Sequence, residues 1–366
     1  MRKVTPFDFE NFVVEVFNPE SGETVLLLTD DPTPELPINV DWQARHRMVE
    51  DWRSALTDMG NSMGFEVLPV LHFAATGQSN GLFPREGIHA GEPAEVLDVL
   101  GKATLAIALT EYSMTAALVQ EAMRRPGEFR AASAPLARAD MEDSAFNIDH
   151  NALRVRCAEI QSCITGSVAA EVGFSTGDVC YFDLRHRQAF VDDGYLHRDK
   201  QAPPLINLPS GEVWIVPYEG DLAGVPSTTR GSIPIAGPEG GVAILQVDGN
   251  RVIEVTGESP AREHFQALLE VDPLRRNIGE LAFGCNAGAR VSGLFIEDEK
   301  AGLHWGLGRS EFLGGTVAAE DFASPETVMH LDTPYANGCP ITIDRAELIA
   351  DDGHRTTVIE NGRYLV

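Results

Sequence analysis

The feature that most constrains the fold is a change of sequence pattern near residue 148. Before it, short apolar runs such as residues 24–28 and 103–109 alternate with segments of helical period. Such alternation is typical of a mostly parallel sheet with helices on its faces. After it, short strands are separated by turns that contain glycine or proline. We therefore predict an α/β N-terminal domain over residues 1–148, followed by a strand-rich α+β domain over residues 149–366 that carries a metal site.

Local patterns predict individual elements within this plan. A helix is expected over residues 41–63, where Met48, Trp52 and Leu56 recur at helical steps. Residues 92–100 are predicted to be helical, residues 290–296 to form a strand, and residues 297–300 to be a solvated loop. The turn after the first strand, residues 29–34, holds two acids and two prolines but no glycine. It cannot cradle a pyrophosphate, so a dinucleotide-binding role is not expected.

Charge and composition exclude several classes of partner. The formal net charge is -27, and so acidic a surface repels phosphate backbones and anionic lipid. No apolar run approaches the roughly 20 residues that span a bilayer, and the N-terminus lacks the apolar core of a signal peptide. The five cysteines are scattered, without a Cys-x-x-Cys pair, which favours a reducing compartment. We expect a cytoplasmic protein that binds neither nucleic acid nor membrane.

Two histidines stand in segments that suit a metal site. His330 and Asp332 are two residues apart, so in a strand both side chains point to the same face. His304 is flanked by Gly302 and Gly306, and glycines allow a ligand to approach closely. Mixed nitrogen and oxygen donors suit Zn, Mn, Co or Fe. Each feature alone also fits a surface ion pair or a core histidine.

Two glutamates complete the candidate set. Glu212 and Glu280 each follow a glycine and precede an apolar run. Glutamate is rarely buried without a partner, and either a metal ion or an arginine such as Arg290 could serve. The basic residues 185–187 could bind a substrate carboxylate or pair with acids.

At these residues the chain resembles the metallo-aminopeptidases that include aminopeptidase T and aminopeptidase S. The resemblance covers most of the chain and implies a homodimer of two-domain subunits, each with a pair of divalent ions. It also implies that Glu212, Glu280, His304, His330 and Asp332 are metal ligands. It rests on Asn207-Leu208-Pro209-Ser210-Gly211-Glu212-Val213, Gly279-Glu280-Leu281, Gly302-Leu303-His304-Trp305-Gly306-Leu307-Gly308 and His330-Leu331-Asp332.

One position departs from that family pattern. The family has a tyrosine seven residues after the first of these histidines, where this chain has Glu311. A carboxylate can bind a metal ion, so Glu311 joins the candidate ligands, but it cannot act as a phenol donor.

The chain also has a more distant resemblance to the dihydroxypyridine dioxygenases, which bind a single iron. That group keeps a His-x-Asp motif like that of His330 and Asp332. It has a histidine near the position of Glu280, and it does not use the positions of Glu212 and His304 as ligands.

The leading expectation is a metal-dependent hydrolase of amide bonds, an aminopeptidase that acts on short peptides or another small molecule. Two divalent ions (Zn, Mn or Co) would activate a water molecule. Glu212 or Glu280 would bridge the ions, and the other would accept the proton. The alternative is a mononuclear Fe(II) dioxygenase that cleaves a hydroxylated aromatic ring and uses His304, His330 and Asp332.

Overall fold

The structure is a computed structural model that describes residues 6–200 and 204–366. The chain divides into two compact units. The first takes in the described residues up to Arg154, together with 192–200, 204–210 and 287–289. The second comprises residues 155–191, 211–286 and 290–366. Neither unit is one continuous stretch, and the division into domains 1–148 and 149–366 stays a prediction.

The helices and strands alternate irregularly along the chain. The α-helices are α1 Phe9–Val16, α2 Val40–Met63, α3 Val96–Leu100, α4 Thr115–Arg124, α5 His150–Thr165, α6 Ala261–Glu270 and α7 Phe295–Asp298. The strands are β1 Thr24–Asp31, β2 Glu66–Val67, β3 Leu71–Ala74, β4 Glu86–His89, β5 Glu92–Glu95, β6 Leu105–Ala108, β7 Arg130–Ser133, β8 Ala169–Phe174, β9 Val179–Asp183, β10 Phe190–Asp192, β11 Leu205–Asn207, β12 Glu212–Ile215, β13 Arg230–Ala236, β14 Val242–Asp248, β15 Arg251–Gly257, β16 Ile278–Gly284, β17 Leu303–Gly308, β18 His330–Pro334, β19 Ile343–Ile349, β20 Arg355–Glu360 and β21 Arg363–Tyr364.

The first unit is built on one mixed sheet with strand order β11-β7-β6-β1-β3-β4-β5, and β2 also pairs with β1. The pairs β11–β7, β7–β6, β6–β1 and β1–β3 are parallel, whereas β3–β4 and β4–β5 are antiparallel. The central strands are apolar on both faces, as expected for parallel strands covered by helices. Leu26, Leu28, Leu71, Phe73 and Leu118 belong to the buried core of this unit.

Helix α2 follows the pattern that the sequence predicts. Its buried face is apolar at helical spacing, and the Asn39 side chain caps its first turn by accepting from the Trp42 amide at 2.8 Å. The helix ends at Met63 and is capped by Gly64, which has a φ of 87°, a conformation that glycine adopts without strain. At the end of β1, buried Asp30 accepts from the backbone amides of Glu111 and Tyr112. The acidic turn therefore ties two strand ends together.

The second unit holds two sheets. The larger has the order β15-β14-β13-β9-β8-β19-β20-β21, and its strand pairs are antiparallel. The smaller has the order β10-β12-β16-β17-β18. In it, β12–β16, β16–β17 and β17–β18 are antiparallel. The chain as a whole is therefore mixed α/β with several sheets.

Three local predictions are wrong. Residues 92–95 form strand β5 and the helix begins only at Val96, because this segment pairs with β4. Residues 290–294 form no strand, and residues 295–298 form the short helix α7. Residues 297–300 are buried rather than solvated. Across the described residues, no helix is both long enough and apolar enough to cross a bilayer.

Candidate metal centre

Neighbouring strands of the smaller sheet bring the predicted ligands onto one face. Glu280 of β16 is opposite Gly306 of β17, and Gly306 is opposite Asp332 of β18. Side chains two residues apart on a strand point to the same face. His304 therefore lies on the face of Gly306, and His330 lies on the face of Asp332.

The acidic and imidazole side chains on this face form two groups that share one residue. Glu280, His330 and Asp332 form the outer group, and Glu212, Glu280 and His304 form the inner group. In each group the potential ligand atoms lie within 4.8 Å of one another. The structure thus brings together five of the six residues that the sequence singled out.

Glu280 links the two groups through its two oxygens. Its Oε2 lies 3.1 Å from Nε2 of His330, whereas its Oε1 lies 3.9 Å from Nε2 of His304. Nε2 of His330 is also 3.1 Å from Oδ1 of Asp332. Oε2 of Glu212 is 3.4 Å from Nε2 of His304. Glu280 is therefore the shared carboxylate of the cluster.

Gly306 leaves the space in which the outer group converges. A Cβ at this position would lie 2.8 Å from Oδ1 of Asp332 and 2.9 Å from Cε1 of His330. Real Cβ atoms essentially never come so close to a neighbour. The glycine therefore keeps the surface open at the point where ligand atoms from β16 and β18 meet.

The donor set fits a divalent transition metal. It combines carboxylate oxygens with imidazole nitrogens, which suit Zn, Mn, Co or Fe. Glu212, Glu280 and His304 are buried, and carboxylates are rarely buried without a partner. Among the described residues, Oδ1 of Asp332 is a buried polar atom without a well-directed hydrogen bond. This atom and the open space at Gly306 fit a bound ion.

His330 is oriented from behind by a backbone carbonyl. Its Nδ1 donates to the carbonyl oxygen of Arg309 at 2.7 Å, which turns Nε2 toward Glu280 and Asp332. Such a partner on the second ring nitrogen is the usual arrangement of a metal-binding histidine. Burial alone lowers the pKa of His330, but the charges of Asp332 and Glu280 outweigh it and raise the pKa well above its usual value.

The carboxyl groups respond to the same interactions. Burial raises the pKa of Asp332, but the His330 charge beside it has the larger combined effect and lowers the pKa. For Glu280, burial dominates and raises the pKa despite the hydrogen bond to His330. Since the two carboxyls differ in this way, Asp332 is the more firmly ionised member of the outer group.

Lys300 is a member of the cluster that the sequence analysis missed. Its side chain is 0% exposed, and its Nζ lies 2.5 Å from Oε1 of Glu212 and 2.7 Å from Oε1 of Glu299. Burial raises the pKa of Glu299 well above its usual value, although the charge of Lys300 acts in the opposite direction. A buried ammonium thus contacts a carboxylate of the inner group. One sequence feature could have indicated this residue: Lys300 stands four residues before His304 in a chain that contains few lysines.

The predicted loop over residues 297–300 is buried because its acids bind backbone amides. Oδ1 of Asp298 accepts from the amide of Ser292 at 2.6 Å, and Oε1 of Glu297 accepts from the amide of Arg290 at 3.1 Å. These bonds hold the preceding segment as a loop, so the predicted strand does not form. The turn that follows α7 then directs Lys300 toward Glu212.

Glu311 lies outside both candidate groups. Its carboxylate accepts from Nε of Arg309 at 2.7 and 2.9 Å. The same arginine supplies the carbonyl that orients His330. The role of Glu311 as a ligand stays a prediction, and the pairing with Arg309 gives its carboxylate a partner within the protein.

Two of the basic residues at positions 185–187 pair with acids in the second unit. Arg185 contacts Asp183 at 2.6 Å, and Arg187 contacts Glu219 at 3.0 Å. Glu219 also accepts from the hydroxyl of Ser310 at 2.6 Å. Of the two interpretations of this cluster, acid pairing is the one that these contacts support.

Comparisons with known proteins give likenesses in structure alone. No protein-family model matches the chain, and no curated protein sequence matches it. The chain is similar to a solved structure of 2,5-dihydroxypyridine dioxygenase from Pseudomonas putida KT2440, with a TM-score of 0.65 and 15% identity. That likeness covers 98% of this chain and 96% of the other. It is also similar to wild-type AmpT from Thermus thermophilus, with a TM-score of 0.61, 14% identity and 98% of each chain covered.

Both resemblances stated from the sequence therefore have a solved counterpart. AmpT is a metallo-aminopeptidase, so both of these structures are structures of enzymes. At 14% and 15% identity, these likenesses show the fold. The chain has a fold that serves both an aminopeptidase and a dioxygenase, and it places candidate metal ligands together on one sheet.

Proposed function

We propose that this protein is a metal-dependent hydrolase of amide bonds whose substrates are short peptides. The observation that carries the proposal is the position of Glu280, which presents one oxygen to the outer group and the other to the inner group. A candidate metal-binding carboxylate thus lies beside further carboxylate and imidazole groups that can accept and donate a proton. The likeness to AmpT supports the same reaction class.

The outer group is the proposed metal site. Glu280, His330 and Asp332 would hold the ion, and the side chains of His330 and Asp332 remain 9% and 15% exposed. A divalent ion bound there would polarise the substrate carbonyl and lower the pKa of a water molecule. The partial exposure leaves a side from which a substrate can approach.

Glu212 is the proposed proton acceptor. Nζ of Lys300 lies 2.5 Å from Oε1 of Glu212, and Oε2 of Glu212 faces Nε2 of His304. A carboxylate fixed in this way can take a proton from the attacking water and pass it to the leaving amine. Glu280 is less suited to this role, because it contributes to the proposed metal site.

A second candidate function is oxygen-dependent ring cleavage, which the likeness to the dioxygenase structure favours. The facial set drawn from the sequence used His304, His330 and Asp332. In the structure, His304 belongs to the inner group, whereas His330 and Asp332 belong to the outer group. This separation makes the hydrolase the better-supported proposal.

Reloading the protein with single metals separates the two functions. We would strip metal with a chelator, reload separately with Zn, Mn, Co and anaerobic Fe(II), and measure amino acids released from di- and tripeptides. Oxygen uptake with a dihydroxypyridine would be followed in parallel. Peptide cleavage by one metal form, absent from the stripped protein, supports the hydrolase. Oxygen uptake by the iron form, with no peptide cleavage in any form, would overturn it.

A further inference from the structure

Lys300 is an unusual residue for the interior of a metal centre. It lies in the turn before β17 and is fully buried, with Glu212 at 2.5 Å and Glu299 at 2.7 Å. Lysine is almost never fully buried unless it is paired. The ammonium therefore has a defined place in the cluster, where it neutralises carboxylate charge.

The ammonium of Lys300 contacts the inner group. Glu212, the carboxylate that Lys300 contacts, is also one of the three potential ligands of the inner group with Glu280 and His304. An ion bound by this group would share a carboxylate with the ammonium. In a buried site of low dielectric, two cations on one carboxylate repel each other strongly. The ammonium of Lys300 thus already places a positive charge beside the inner group.

The outer group differs in this respect. Its three side chains meet at Nε2 of His330, which lies 3.1 Å from a carboxylate oxygen of Glu280 and 3.1 Å from one of Asp332. Because Nδ1 of His330 donates to the Arg309 carbonyl, Nε2 is the ring nitrogen that faces the other two ligand side chains. The close contacts of the Lys300 ammonium are made instead to Glu212 and Glu299. Glu212 belongs to the inner group and not to the outer group, so the cation lies on the inner side of the cluster.

We infer that the centre binds one divalent ion, in the outer group, and that the ammonium of Lys300 takes the place of a second ion. This inference rests on the proposed metal-dependent function and goes beyond it by stating the stoichiometry. Lys300 is then a positioning residue that holds Glu212, and His304 orients the same carboxylate from its other oxygen. The family resemblance implies two ions per chain, so a count of bound ions distinguishes that expectation from this inference.

The test is a count of bound Mn²⁺ per chain, by elemental analysis and by electron paramagnetic resonance. Wild type, Lys300→Met and the control Lys102→Met would each be saturated with Mn²⁺, and the unbound Mn²⁺ would then be removed. Methionine has a similar length but no charge, and Lys102 is an exposed lysine of the first unit. Thermal unfolding followed by circular dichroism shows whether each variant is folded.

We expect one ion in wild type and in Lys102→Met, with the spectrum of isolated Mn²⁺, and two ions with a coupled spectrum in Lys300→Met. Two coupled ions in wild type would overturn the inference while leaving the metal-dependent function intact. One ion in a folded Lys300→Met variant would also overturn it. If that variant does not fold, the wild-type spectrum decides. No bound ion in wild type would instead contradict the proposed function itself.

Discussion

Oε2 of Glu280 lies 3.1 Å from Nε2 of His330, although the two residues are 50 positions apart and stand on strands that do not pair with each other. On the strand between them, β17, Gly306 lies opposite Glu280 on one side and opposite Asp332 on the other. Its missing side chain lets an acid and an imidazole meet across the width of three strands. The proposed metal site depends on this relationship.

Replacing His330 by alanine should abolish tight metal binding. The change removes the nitrogen donor that faces both Glu280 and Asp332, and we expect the affinity for Zn²⁺ or Mn²⁺ to fall by at least about 100-fold. Isothermal titration of the metal-stripped protein measures it. His264→Ala, at an exposed histidine of α6 in the same unit, should bind like wild type. Equal affinities in the two variants would remove His330 from the site.

Adding one methyl group at Gly306 should weaken the site without unfolding the sheet. In Gly306→Ala the new Cβ would meet Oδ1 of Asp332 at 2.8 Å, so one ligand must move. We expect metal affinity to fall by about 10- to 100-fold. The matched control is Gly173→Ala, also in a strand of the second unit, where the nearest atom would be 3.7 Å away. A Gly306→Ala variant with wild-type affinity would show that the ligands converge elsewhere.

Replacing Glu212 by glutamine should separate binding from catalysis. The amide keeps the shape of the side chain but cannot accept a proton, so kcat should fall by about 10²–10⁴-fold. Metal affinity at the outer group should change little, because Glu212 is not among its members. Steady-state kinetics and metal titration on the same preparation give both values. A loss of affinity as large as that of His330→Ala would make Glu212 a ligand instead.

Glu23→Gln should destabilise the protein through the buried ion pair with Arg130. Glu23 contacts Arg130 inside the first unit, where Arg130 also donates to the carbonyls of Phe17 and Leu196. Removing one partner of a buried pair costs about 3–5 kcal/mol, because the other charge is left uncompensated. Urea unfolding at neutral pH measures the loss. Glu66→Gln, at an exposed strand position, is the control and should be nearly neutral.

The same pair predicts the sign of a pH effect. Burial acts to raise the pKa of Glu23, but the interactions with Arg130, Arg198 and the Glu20 amide outweigh it and lower the pKa below its usual value of 4.5. A carboxyl with a lowered pKa stabilises the fold above its unfolded-state pKa, and the effect is lost as the pH falls through the folded-state pKa. The difference between wild type and Glu23→Gln should therefore shrink on acidification below about pH 4.5. A constant difference down to pH 2 would contradict this assignment.

Features set by local periodicity could be predicted from the sequence. The two-residue spacing of His330 and Asp332 correctly indicated one face of a strand. The spacing of Met48, Trp52 and Leu56 indicated α2. In both cases the signal lies within a few residues and reflects which side of one element is buried.

Features that depend on distant contacts could not be read in this way. Lys300 follows three acids in the sequence, which is typical of an exposed turn, yet it is buried because Glu212, on another strand, provides a carboxylate. The partner of Lys300 is fixed only when the sheet has formed. Val291, Leu294, Phe295 and Ile296 suit a strand, but the side chain of Asp298 reaches back to the amides of Ser292 and Gly293, a contact that the apolar pattern does not report.

The proposed metal-dependent hydrolysis is best tested by measuring amino acid release from short peptides by wild type and His330→Ala, each assayed after metal stripping and after reloading with Zn, Mn or Co. Reloaded wild type should cleave the peptides, whereas the stripped protein and the variant under every condition should not. Cleavage that persists in His330→Ala, or its absence from a wild type shown to carry bound metal, would contradict the proposed function.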